Sequence, residues 1–183
     1  MHPLDVADHV AAEVDELRDR AGRLPAEDRP RLIDLTNDLD LYLTFGARRW
    51  TSATTAATSP ILLPGGGRMS TRMNIPIVGS ASARELVLRA GCRDFDSQPP
   101  IVELVDEGHR RLSPAAWPTD PTGRGIVSNH RKYQRPFFCR PGTREYHEHP
   151  QHENDHWDRH REGTSLWSIL LPIMRDLQYR WVL

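Results

Sequence analysis

The chain has 183 residues, 24 of them basic and 25 acidic, for a formal net charge of −1. That balance excludes a general nucleic-acid binder, which gathers a basic excess on one face. With 38% hydrophobic residues, and no apolar run near the ~18 residues of a membrane span, the composition is that of one globular domain with an appended element.

The N-terminal stretch MHPLDVADHVAAEVDEL is acidic and lacks the basic and apolar regions of a signal peptide, so the expected compartment is the cytoplasm. Residues 5–21 carry Val6, Val10, Val14, Leu17 and Ala21 at helical spacing, with charged residues elsewhere, and this predicts an amphipathic helix. RLPAEDRP breaks the pattern with two prolines. A second helical pattern follows from about 30 to 45, with Leu32, Leu35, Leu39 and Leu43 on one face. Residues 1–48 are thus expected as an N-terminal α-helical hairpin. It would pack on the rest of the chain or on a second copy, making a homo-oligomer.

Between Arg49 and Thr71 the composition turns to Thr, Ala, Ser, Gly and Pro, in TSATTAATSP and LPGGGR. Residues 49–72 are expected as a flexible linker. PGGGR lacks the Lys-Ser or Lys-Thr that a phosphate loop requires.

Residues 73–183 read as a separate domain. NIPIVGS, RELVLRAG, PPIVELVDEGHRRL and RPFFC are strand-like. In the third, Ile101, Glu103 and Val105 face one side and Val102 and Leu104 the other, with a turn at DEG. TSLWSILLPIMRDLQYRWVL then places Leu166, Ile169, Leu170, Ile173, Met174 and Leu177 on one apolar stripe of a helix, N-capped by Thr164 or Ser165. Pro172 falls inside it. The fold class is α+β: a small antiparallel β-meander packed on a C-terminal helix, preceded by the helical hairpin.

Two cysteines, Cys92 and Cys139, are too few for a disulfide framework and are expected as thiols. Cys92 has no histidine nearby. Cys139 lies in FCRPGTREYHEHPQHENDHWDRH, residues 138–160, which holds one cysteine and five histidines. Cys139, Glu145, His147, His149 and His152 offer a thiolate, a carboxylate and imidazoles. That mixture suits zinc better than magnesium or calcium, which prefer oxygen. If REYHEH is extended, Glu145, His147 and His149 project together, while Tyr146 and Glu148 point away. Pro150 then brings in His152, and the Pro141–Gly142 turn brings in Cys139. A structural zinc ion would stabilise a region poor in apolar residues. His156 and His160, four apart, read as surface residues. His109 and His130 read as ordinary polar residues, as do His2 and His9.

The same residues resemble a bacterial family of predicted metal-binding domains, the CEHH domain. Its signature pairs a Cys-x-x-Gly turn with Glu-Tyr-His-x-His-Pro-x-His and an Asp-x-Trp. Here these are Cys139 and Gly142, Glu145 through His152, and Asp155 with Trp157. The likeness extends upstream to Trp117 and Pro118 and covers roughly residues 73–180. It implies a metal-binding role beside prokaryotic ubiquitin-like conjugation proteins as partners, with no established reaction. The order of meander, YHEHP, tryptophan and apolar helix also looks like a ubiquitin-conjugating-enzyme fold. That family's Asn after Tyr-His-Pro is missing here, and no cysteine lies between His152 and Trp157. Thioester chemistry at the usual place is not expected.

The function expected from sequence is therefore a zinc-binding, non-catalytic accessory or adaptor of a bacterial ubiquitin-like system, with no nucleic-acid or membrane partner. The alternative is a zinc hydrolase or isopeptidase. HEHP matches the His-x-His-Pro of JAMM peptidases, with Glu103 as nominal base, but DRHR stands where Ser-x-x-Asp belongs. His-Glu-x-x-His is absent too. A third reading makes Cys139 a nucleophile assisted by a histidine.

Overall fold

A computed structural model describes residues 3–47, 54–62, 68–76, 84–118, 120, 125–127 and 129–179. The chain divides into two units, Met1–Arg49 with Ala83–Leu183, and Trp50–Ser82.

In the larger unit, helix α1 (Pro3–Gly22) forms where the sequence predicts it. Val10, Val14 and Leu17 are fully buried in the core they share with the C-terminal helix and the sheet. The apolar face of α1 is thus used within the chain. Its exposed face carries the i,i+4 ion pairs Arg20–Glu16 and Arg23–Asp19.

The second helix of the expected hairpin does not form. Residues 30–45 make strand β1 (Leu32–Leu35) and most of strand β2 (Asp40–Ala47), paired antiparallel with Leu35 opposite Leu41. Leucines at 35, 39 and 43 fit a helix, but Leu41, Leu43 and Phe45 fit a strand equally well. All three of the latter are fully buried. Turn chemistry decides locally. Asn37 and Asp38 sit in a reversal closed by Leu39 N–H donating to Thr36 O (3.0 Å), and Thr36 Oγ1 accepts from Asp40 N–H (3.2 Å). Leu39 lies at φ 58°. Pairing decides globally, because β2 runs beside strand β5 (Arg84–Gly91) over eight residue pairs, from Asp40–Gly91 to Ala47–Arg84.

Strand β6 (Ile101–Val105) pairs with β5 and completes a four-stranded antiparallel sheet ordered β1-β2-β5-β6. Its alternation is as predicted: Val102 and Leu104 enter the main core. On the other face Val105 clusters with Tyr42 and Val87, and His109 stacks on Tyr42 with ring centroids 3.9 Å apart.

The second unit contains a hairpin of β3 (Thr54–Leu62) and β4 (Arg68–Pro76). Residues 49–72, expected as a flexible linker, therefore contain β3 and the start of β4. Residues 77–80 of NIPIVGS and 64–67 of PGGGR lie outside the described residues.

RPFFC supplies the two-residue strand β8 (Phe137–Phe138), paired with β7 (Ile126–Val127). After a short helix α2 (Arg144–His147) come single 3-10 turns and then α3 (Leu166–Tyr179). The six apolar residues predicted for the α3 stripe are all buried. Its first turn is satisfied from two sides. Glu13 of α1 accepts from Leu166 N–H at 2.7 Å, and Ser168 Oγ accepts from Ser165 N–H at 3.1 Å. No described helix is long and apolar enough to cross a membrane. The architecture is α+β: an N-terminal helix, a four-stranded antiparallel sheet and a C-terminal helix.

Candidate metal centre

The donor-rich segment leaves β8 at Cys139, whose N–H is anchored on Gly125 O (2.9 Å). The chain then turns through Pro141 and Gly142. Gly142 sits at φ 93°, and a Cβ there would lie 2.7 Å from Ile169 Cγ1 of α3, so only glycine fits. Thr143, fully buried, starts α2. Its hydroxyl donates within reach of Phe138 O (3.0 Å) and Arg140 O (2.9 Å) and accepts from Tyr146 N–H (3.4 Å). His149 caps the following turn, its Nδ1 accepting from Gln151 N–H (3.4 Å).

This capped turn overturns the extended reading of REYHEH. Consecutive helical residues rotate by ~100°, so Glu145 and His147 do not share a face. Glu145 is fully buried. One oxygen accepts from Arg135 Nη2 (2.7 Å) and the other from Val102 N–H (3.4 Å). Burial pushes its carboxyl up to about 7, against the opposing pull of Arg135. His147 spends both ring nitrogens on backbone: Nδ1–H donates to Asp155 O (2.6 Å) and Nε2 accepts from Gly142 N–H (3.1 Å). Burial lowers its pKa, in keeping with a neutral ring. Tyr146, expected to point away, instead stacks on His152 with centroids 3.8 Å apart and donates to Asp155 Oδ2 (2.9 Å).

Three candidates remain near one another. Cys139 Sγ lies 3.4 Å from His152 Nε2. The His149 and His152 rings are 5.9 Å apart, and all three residues are half-buried. Among the described residues, no three Cys, His, Asp or Glu side chains stand close enough together to hold a metal ion without rearrangement. The Cys139–His152 pair nonetheless fits one. Metal–sulfur and metal–nitrogen bonds of about 2.3 and 2.0 Å, at a tetrahedral angle, put S and N about 3.5 Å apart. Two imidazoles on one such ion have centroids roughly 5 Å apart, closer than the 5.9 Å between His149 and His152. Burial raises the Cys139 thiol pKa, which makes it a poor unassisted nucleophile.

Two further residues are built into the surround: His130, read as ordinary from sequence, and Asp155 of the Asp-x-Trp. His130 is fully buried. Its Nε2–H donates to Glu145 O (3.0 Å), its Nδ1 accepts from Lys132 N–H (3.1 Å), and its ring meets Phe137 and His149 edge-on. Asp155 ties α2 to the turn at His160, accepting from Tyr146 and contacting His160 Nε2 (2.5 Å) through its carboxylate and His147 through its carbonyl. No local periodicity marks either role. His156 is exposed, as expected. Glu103, the nominal base of a hydrolase, is buried and ion-paired with Arg89, Arg111 and Arg135.

No curated protein matches the chain. Residues 124–176, less than a third of its length but spanning β7 to most of α3 with every candidate donor, match the model of the Y4jH-like family, described as the Y4jH family.

Proposed function

We propose that the protein binds a zinc-type divalent cation through Cys139 and His152, with His149 as a third donor. We further propose that it serves as a non-catalytic accessory of a bacterial ubiquitin-like modification system. The observation that carries the metal reading is the 3.4 Å approach of Cys139 Sγ to His152 Nε2, the spacing of two donors on one tetrahedral ion. Zinc would supply a fixed cross-link between the end of β8 and the turn after α2. The chain's own residues hold the donors in place. Tyr146 stacks on His152, Phe137 stacks on His149 at 5.3 Å, and Gly142 sets the turn beyond Cys139. The accessory role and its partners rest on the likeness of Cys139–Trp157 to the CEHH signature.

The test is metal content. Purified protein reconstituted with zinc and desalted should retain about one zinc per chain, and Cys139→Ser and His152→Ala should each lose it while staying folded. Folded wild-type protein that holds no zinc, or Cys139→Ser that holds it fully, overturns the metal reading.

A further inference from the structure

We propose that a groove between α3 and the loop after α1 binds a small apolar monocarboxylic acid carrying one N–H or O–H donor. The groove is a cavity of about 580 Å³, within the ~300–1,000 Å³ of small-molecule sites. Leu24 and Pro25 line it from the loop, and Trp167, Leu171, Pro172 and Met174 from α3. Trp167 and Leu171 are only half-buried and Pro172 is exposed, so an apolar occupant removes their surface from water. Trp167, Leu171 and Arg175 recur every four residues and share one stripe of the helix, beside the stripe through Leu166, Ile169 and Ile173 that the core covers. The walls are tied down before any ligand arrives. Tyr179 OH donates to Asp28 Oδ1, and Gln178 Nε2 to Asp28 O at 3.4 Å, which joins the last turn of α3 to the loop. The Arg20 guanidinium lies 3.7 Å over the Trp167 ring and holds it in place. A preformed site spends little of its binding energy on ordering.

Charge selects the acid. Asp28, Arg140, Arg175 and Asp176 border the cavity. Asp28 takes Tyr179, and Arg140 is paired with Asp176. Arg175 is exposed and has no ion-pair partner among the described residues. A carboxylate placed there gains a bidentate, charge-assisted pair, while the body of the molecule lies along Leu171 and Trp167. Gln178 selects the donor. It is 1% exposed, it lines the same cavity, and its Oε1 accepts from no donor among the described residues. Buried acceptors are normally satisfied, and an N–H or O–H on the ligand is what this one lacks.

The test is calorimetric titration of the full chain with indole-3-propionate, an apolar acid with one N–H, against its neutral primary amide. The acid should bind saturably, one per chain. Exchanging it for the amide, or Arg175 for Gln, should each weaken binding about tenfold, the effect of one charge-assisted pair. Leu171→Gln should weaken it as well, and Arg175→Gln, being an exposed change, keeps the test independent of folding. Zinc-loaded and chelated protein should bind alike. Absence of saturable binding, equal affinity for acid and amide, or an unchanged affinity in Arg175→Gln overturns the proposal. Binding confined to zinc-loaded protein would put the acid on the metal and overturn it too. So would self-association of the free chain that the acid does not reverse, because a second copy would then fill the groove.

Discussion

The amide of Gly142 donates a hydrogen bond to Nε2 of His147 over 3.1 Å. With Nδ1–H directed at Asp155 O, the ring clamps the turn after Cys139 to the loop before Trp157. His147 is thereby held apart from the proposed donors two and five residues further on. His147→Ala should destabilise the metal-free protein by about 1–3 kcal/mol, the range for leaving part-buried backbone groups unpaired, while the folded variant keeps its zinc. Cys139→Ser should behave in reverse, losing zinc with little change in metal-free stability. Urea titration under chelation, paired with zinc analysis, separates the two. A His147→Ala protein of unchanged stability but reduced zinc would make His147 a ligand.

Gly142 combines a left-handed backbone with contact against α3. Gly142→Ala should cost about 2–5 kcal/mol, summing backbone strain and overpacking, because the new Cβ would meet Ile169 Cγ1. Ile169→Ala in the same chain removes the clash but not the strain, so the double variant should cost less than the sum of the singles. Strict additivity would show that the close approach does not matter.

Arg135 is 13% exposed and bridges two buried carboxylates, Glu145 at 2.7 Å and Glu103 at 3.4 Å. Without Arg135, Glu103 keeps Arg89 and Arg111, while Glu145, already raised to about 7, loses its cationic partner and one hydrogen bond. Arg135→Met should therefore destabilise by about 1–3 kcal/mol, and adding Glu145→Gln should recover part of that loss. Denaturant midpoints of the three proteins decide it; a cost below ~1 kcal/mol for Arg135→Met would mean that the acids are solvated after all.

Acid and base stability should be separable through His130 and Glu145. Burial holds the His130 ring below its ordinary value, near 6.5 in an unfolded chain. The unfolded state takes the proton first as pH falls, so this contribution is complete above about 6.5 and is lost below it. Glu145 runs the other way. Its carboxyl, raised to about 7 from 4.5, keeps its proton longer in the folded chain, so that contribution is present at low pH and lost as pH rises through 7. Melting temperatures of chelated protein should therefore give a wild-type advantage over His130→Gln that widens from pH 5 to 7. The advantage over Glu145→Gln should narrow across the same range. Parallel curves in either comparison would contradict the assigned burial.

Much of this protein is set by local pattern. The stripes Val10–Val14–Leu17 and Leu166–Ile169–Leu170–Ile173 specify helices whose apolar faces must be covered, and both are buried as expected. The alternations in 84–91 and 101–105 specify strands, and the crowding of donors in 139–152 is visible by inspection. Two decisions required the tertiary structure. Residues 30–45 satisfy helical and strand periods alike, and the eight pairs with β5, far away in sequence, settle the strand that the turn at 36–40 begins. The placement of the candidate donors was the other. Neighbouring residues do not converge merely by being neighbours, because α2 turns each side chain ~100° from the last. The turn capped by Thr143 sends Glu145 inward to Arg135, aims His147 at the backbone, and leaves His152 beside Cys139.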